Sequence, residues 1–145
     1  HTSMSVEWYL SLRRWEKLKR REPARIYTTE ENEEREKLFS FLEECKVFYV
    51  IVEGKKDKEA LRKVGFKKVF ILNNARGFYE VGDHIGEKEI LILTDFDPEG
   101  ERIAKRLTEI LIKMKKKVRR GERRKLKKLF IANKINTVEG LNSLL

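Results

Sequence analysis

The chain contains a single cysteine, Cys45, which excludes an internal disulfide and a multi-cysteine zinc site. It has two histidines, two prolines and no glutamine among its 145 residues. No apolar run approaches the length of a membrane span, and no signal peptide is read at the start, so the cytoplasm is the expected compartment. His1-Thr2-Ser3 ahead of Met4 reads as a tag remnant and is set outside the fold. Abundant Lys and Glu with no glutamine is a bias of hyperthermophile proteins. A chain of this length builds one domain with a real core but not two.

What the chain has in excess is positive charge, and it is concentrated. The formal net charge is +10. Between Lys113 and Lys128 stand eleven Lys or Arg and one acid, Glu122, a local net of +10, while the rest of the chain balances 23 basic against 23 acidic residues. A block of this kind favours a polyanion, nucleic acid before an acidic protein surface. Its candidates for phosphate contact are Lys115, Lys116, Lys117, Arg119, Arg120, Arg123, Arg124, Lys125, Lys127 and Lys128. The competing reading is a solvated helix end and loop.

Apolar periodicity divides the chain into a helical extension over 4–46 and an α/β unit over 47–145. Val6 to Glu22 repeats Tyr9, Leu12, Trp15 and Leu18 at helical spacing, and Pro23 interrupts it. Trp8, Tyr9 and Trp15 at that spacing suit a core face better than base stacking. Thr28 or Thr29 caps a second helix with an acidic first turn and apolar Leu38, Phe41, Leu42 and Cys45 near its end. Val47–Val52 is a continuous β-branched and aromatic run, as expected of a strand covered on both faces. Lys58–Val64 reads as a helix stopped by Gly65, Val69–Leu72 as a strand, Phe78–Ile85 as a short helix and Ile90–Thr94 as a third strand. Glu99 to about Lys117 reads as a helix burying Ile103, Leu107, Ile110, Leu111 and Met114. Leu129–Ala132 is expected to be a fourth strand and Val138–Leu145 a closing helix. Alternating strands and helices imply an α/β fold with a mostly parallel sheet of about four strands.

The chemistry gathers at strand ends. Leu91-Ile92-Leu93-Thr94-Asp95-Phe96-Asp97-Pro98-Glu99-Gly100 is a buried strand running into three carboxylates two residues apart. In extended backbone such residues point the same way, and crowded carboxylates need a cation or proton. Hard oxygen ligands suit Mg²⁺, with Mn²⁺ as the alternative. Glu53 and Gly54 follow the first strand as Asp95 follows the third, and all carboxyl ends of a parallel sheet share one edge. Glu53 is therefore expected to join Asp95 and Asp97 as metal ligand or general acid/base. Gly54 and Gly100 suit tight strand-to-helix turns. Other readings were open on the residues alone. A calcium loop would place a bidentate Glu where Arg106 stands, and an Asp-x-Asp phosphatase expects Thr or Val at Glu99. Glu99 and Glu101 read also as residues that stabilise the first turn of the following helix, for Glu101 equally with metal binding, and Asp57 as a helix cap. His84 reads as a surface histidine, and Arg76, after the second strand with Asn73 and Asn74, as a phosphate contact or a loop residue.

Strand-Glu53-Gly54, followed some forty residues later by strand-Asp95-x-Asp97-x-Glu99-Gly100, resembles the Toprim domain of type IA and II topoisomerases, bacterial primases, OLD-type nucleases and the ribonuclease that matures 5S ribosomal RNA. Thr94 to Ala104 is similar to the topoisomerase form of the acidic motif, and Ile135 to Gly140 to a segment after the last strand of the 5S maturase. The resemblance covers roughly Val47 to Gly140. It implies a Toprim fold, catalysis by Glu53, Asp95 and Asp97, and a divalent metal held by these three and Glu99. It further implies phosphoryl transfer on RNA or DNA. The tyrosine nucleophile and gates of topoisomerases, and the zinc and helical regions of primases, do not fit in this length. Cleavage is thus expected to be hydrolytic, an endonuclease activity, or else the domain binds nucleic acid or ribosomal particles without cutting. Oligomeric state is left open.

Overall fold

A computed structural model describes residues 27–145; the helix expected over Val6–Glu22 lies outside the described residues. Tyr27 and Thr28 lead into α1 (Thr29–Cys45). Thr28 is its N-cap, and a capping box ties the two ends of the first turn: the Glu31 N–H donates to Thr28 Oγ1 at 3.0 Å, and the Thr28 N–H to Glu31 Oε1 at 2.9 Å. Leu38, Phe41, Leu42 and Cys45, spaced along one helical face, are all buried.

Four strands follow: β1 (Tyr49–Val52), β2 (Val69–Ile71), β3 (Glu89–Ile92) and β4 (Lys117–Val118). They form one parallel sheet in the order β2-β1-β3-β4, with Val50 opposite both Val69 and Leu91 and Ile90 opposite Val118. The connections are α2 (Lys55–Val64), α3 (Phe78–Ile85) and α4 (Pro98–Lys113), and α5 (Arg120–Ala132) comes after β4. Consecutive side chains of a strand face opposite ways. Val50, Val52, Leu91 and Leu93 accordingly pack with α1, α2 and α5, whereas Ile51, Ile90 and Ile92 pack with α3 and α4. Each fully buried Ile or Leu of this kind contributes roughly 1.5–3 kcal/mol relative to exposure.

The order of strands also places the site. The chain steps from β1 outward to β2, then reverses to reach β3 and β4. Crossovers of one handedness must then change face, and α2 does lie on the face opposite α3 and α4. The reversal leaves a crevice at the carboxyl ends of β1 and β3, the position where open α/β sheets take ligands.

Several expected boundaries move. Val47 is 69% exposed and precedes the strand, which begins at Tyr49 after the half-buried Phe48. The helix expected to reach Lys117 stops at Lys113, and Lys115 turns the chain with a φ of 64° into β4, the strand missed in the sequence. Leu129–Ala132, expected as the fourth strand, belongs to helix α5. Leu126 and Phe130 are buried at i, i+4 while Ile131 is 57% exposed, so the apolar run is one helical stripe. A four-residue apolar run does not distinguish strand from buried helix. The closing helix is a 3₁₀ segment, Glu139–Leu144, with Leu141 buried. Among the described residues no helix is long and apolar enough to cross a membrane.

Candidate metal centre

Glu53 leaves the end of β1 and Asp95 follows β3 by three residues. The sheet register brings them together although 42 positions separate them: the Asp95 N–H donates to Glu53 Oε2 at 3.0 Å. The other Asp95 contact comes from the far end of the chain, where the Val138 N–H donates to Asp95 Oδ1 at 2.8 Å. Beside it the Phe96 N–H donates to the Asn136 carbonyl at 2.7 Å, so residues 136–138 are stitched along the acidic loop.

The loop owes its sharpness to Gly100. A Cβ there would stand 2.0 Å from the Asp95 carbonyl oxygen, so only glycine permits α4 to start this close behind the strand. Buried Thr94 donates its hydroxyl to the Gly100 carbonyl at 2.7 Å. Asp97 is the N-cap of α4, its Oδ1 accepting the Gly100 N–H at 2.7 Å, and Pro98 occupies the first turn, where its missing N–H costs nothing. The spacing that makes an acidic motif therefore also makes a helix start.

Burial raises the Asp95 carboxyl above the usual range. The nearby carboxylates of Glu53, Asp97 and Glu139 push the same way, against the Val138 N–H, which favours the charged form. Asp57 is raised too, first by burial and then by Asp95 and Glu139, while the Gly54 N–H holds it down. That N–H donates to Asp57 Oδ2 at 3.1 Å, so Asp57 secures the first turn of α2 from its third position, with Gly54 as the N-cap, and is also a neighbour of Asp95. Glu139 was not singled out in the sequence. Its only signal was the Ile135–Gly140 segment, to which no side-chain role was attached.

The remaining candidates separate. Glu99 is exposed and paired with Arg102, turned from the other acids. Glu101 is engaged by Arg123 at 2.7 Å and by Lys127. His84 is a surface residue with its ring against Phe70. Arg76 is exposed at the carboxyl edge, its N–H donating to Glu80. Among the described residues no three His, Cys, Asp or Glu side chains stand as a ready-made cation cage. The donor set itself, all carboxylate and mutually repelling around Asp95, fits a hard divalent cation.

The basic segment spans the end of α4, β4 and most of α5, and its charges do not share one task. Arg123 is only 12% exposed and turned inward. Its Nη1 donates to the carbonyls of Ile92 and Thr94 at 3.1 and 3.0 Å, and its Nη2 to the Asp95 carbonyl at 3.2 Å as well as to Glu101. The guanidinium also lies 4.6 Å from the centre of the Phe96 ring. Arg123, expected at a phosphate, thus has its donors claimed by carbonyls exposed where β3 ends. Arg119 pairs with Glu89 and Glu122, and Lys116 donates to the Gly86 carbonyl. Lys115, Lys117, Arg120, Arg124, Lys125 and Lys128 are exposed.

An open parallel sheet with carboxylates clustered at its switch point defines an α/β protein whose acidic edge lies where such sheets take ligands. The profile of the Toprim domain matches residues 48–122, and the chain belongs to the Toprim domain family. A UPF0292 protein of Pyrococcus furiosus is 40% identical over 106 residues, 72% of this chain and 78% of that one. A UPF0292 protein of Methanocaldococcus jannaschii is 38% identical over 81 residues, covering 51% of this chain and 63% of the relative. A solved structure of a protein from Aquifex aeolicus matches with a TM-score of 0.58 at 31% identity, over 74% of this chain and 94% of that one. Toprim domains generally bind a divalent metal such as Mg²⁺ and are tied to nucleic acids.

Proposed function

We propose that the protein is a Mg²⁺-dependent phosphoryl-transfer protein acting on nucleic acid, an endonuclease that hydrolyses phosphodiesters in RNA or DNA. The observation that carries this reading is the junction of Glu53 and Asp95 at the switch point of the sheet, with Asp97 two residues on. Asp95 and Glu53 would hold the cation, Asp97 would join them on leaving its cap, and water or phosphate oxygens would complete the shell, as is usual for Mg²⁺. A bound divalent cation supplies neutralisation of charge on the transferring phosphoryl group and a more acidic water. The Asp95 N–H fixes one Glu53 oxygen and leaves the other, unbonded among the described residues, to accept or return a proton. Glu99 would serve only after release from Arg102.

Calorimetric titration of Mg²⁺ and Mn²⁺ into the wild type and the Asp95→Asn/Asp97→Asn double variant tests the site. Binding lost in the variant is expected. Cleavage of structured RNA and of DNA is then compared between wild type, Asp95→Ala and Asp97→Ala; equal cutting by all three would end the nuclease reading. A second reading, a module that binds nucleic acid or ribosomal particles without cutting, is favoured by one observation. Asp95, Asp97 and Glu99 all have partners within the protein, and no cage of three acids is formed among the described residues. Absence of metal binding in both proteins would move that reading ahead.

A further inference from the structure

The α5 helix faces two ways. One stripe is buried: Leu126 and Phe130 enter the core, Phe130 meets Phe96 with ring centres 4.9 Å apart, and Lys125 lies over Phe41 of α1. Arg123 anchors the first turn to the acidic loop through the Asp95 carbonyl. Arg120, Arg124 and Lys128 follow one another at i, i+4 and i+8, all exposed and without a hydrogen bond or ion pair among the described residues. The only acid of α5, Glu122, is already held by Arg119, and the next along the chain is Glu139. A shallow depression lined by Val118, Arg119, Arg120, Gly121, Glu122 and Arg124 opens at the start of this row.

We infer that the ridge Arg120–Arg124–Lys128 is the track for a single polynucleotide strand, whose phosphates lie along α5 while one phosphodiester reaches the acidic loop. The inference rests on the nucleic-acid reading above and gives it a direction. Eight residues of helix span about 12 Å, so the ridge serves a short run of consecutive phosphates. Because α5 is packed on α1 and on the sheet, its exposed face is confined to one side, where Gly121, Lys125 and Ile131 stand beside the ridge, which suits lying along one backbone and not entering a groove. Arg119, paired with Glu89 and Glu122, and the inward Arg123 take no part.

The test is fluorescence anisotropy of a labelled single-stranded 12-mer, as RNA and as DNA of the same sequence, over a salt series. Wild type is compared with Arg120→Gln/Arg124→Gln/Lys128→Gln, substitutions that keep helix propensity. A control triple, Arg62→Gln/Lys67→Gln/Lys105→Gln, removes the same charge from exposed positions elsewhere. The ridge triple is expected to lower the slope of log K against log salt by about 2 and to weaken low-salt binding roughly tenfold or more, for both sugars. The control triple should leave the slope unchanged. Equal losses in both triples would mean a diffuse positive field and overturn the track, as would no loss in either or a loss confined to one sugar. Wild type that binds neither oligonucleotide would fail earlier, at the nucleic-acid reading itself. Circular dichroism and melting curves establish that both triples are folded.

Discussion

Gly100 and Arg123 settle the geometry of the acidic loop from opposite sides. Gly100→Ala forces a methyl group into the Asp95 carbonyl. It should cost about 3 kcal/mol in urea unfolding, since backbone must shift to relieve the overlap. Arg123→Met strips three strand-end carbonyls of their side-chain donor and leaves Glu101 to Lys127 alone. A loss of about 2–3 kcal/mol is expected in the same measurement. Arg123→Lys should recover only a part, because a point charge cannot fork across separate acceptors. Glycine's role was visible in the sequence from its place after the acids. That of Arg123 was not: within a run of identical charges nothing distinguishes the one residue whose donors are claimed by strand carbonyls 28 to 31 positions earlier. Glu139 stayed invisible for the same reason, being an ordinary exposed acid until the chain returns it to Asp95.

At the scale of elements, legibility followed length and pattern. Phe78–Ile85 and the stop at Gly65 came through unchanged, the latter because a φ of 107° suits glycine and little else. The two-residue β4 offered no pattern to read, and Leu129–Ala132 mimicked a strand because a short continuous apolar run carries no period of its own. Helix α1 supplies a test of how tightly it is seated. Its Cys45 thiol is pushed up to about 12 by burial, with Glu122 and Glu44 adding to the effect. A folded pKa above the ordinary 9.0 means that the native state holds the proton more firmly. The stability that Cys45 contributes should thus be constant below pH 9 and decline as pH rises from 9 toward 12, a dependence that Cys45→Ala removes. Urea melts of both proteins across that window check the sign. A thiol reagent should likewise modify Cys45 only at the rate at which α1 lifts away.

For the whole molecule the sheet order matters most, since it alone turns two acids far apart in sequence into neighbours. The alternation of strands and helices announced the class of fold, and the acids at strand ends announced the edge. What sequence could not convey is that Asp97 and Glu99 have other partners at rest. If a divalent cation gathers these carboxylates, it relieves their repulsion and must stabilise the folded chain. At a hundredfold excess over the dissociation constant the gain is about 2.7 kcal/mol. A Tm that rises by a few degrees with Mg²⁺ or Mn²⁺ in wild type, and not in Asp95→Asn/Asp97→Asn, is the expected result in scanning calorimetry.

The stitch between residues 136–138 and the acidic loop has a bearing on how the protein is made. Glu53, Asp95 and Asp97 are all synthesised well before Val138. While the ribosome still holds that later stretch, Asp95 lacks the amide that orients it, and Phe96 lacks its carbonyl partner. A cation site at this loop would therefore be completed only once residues 136–138 have emerged and docked against it.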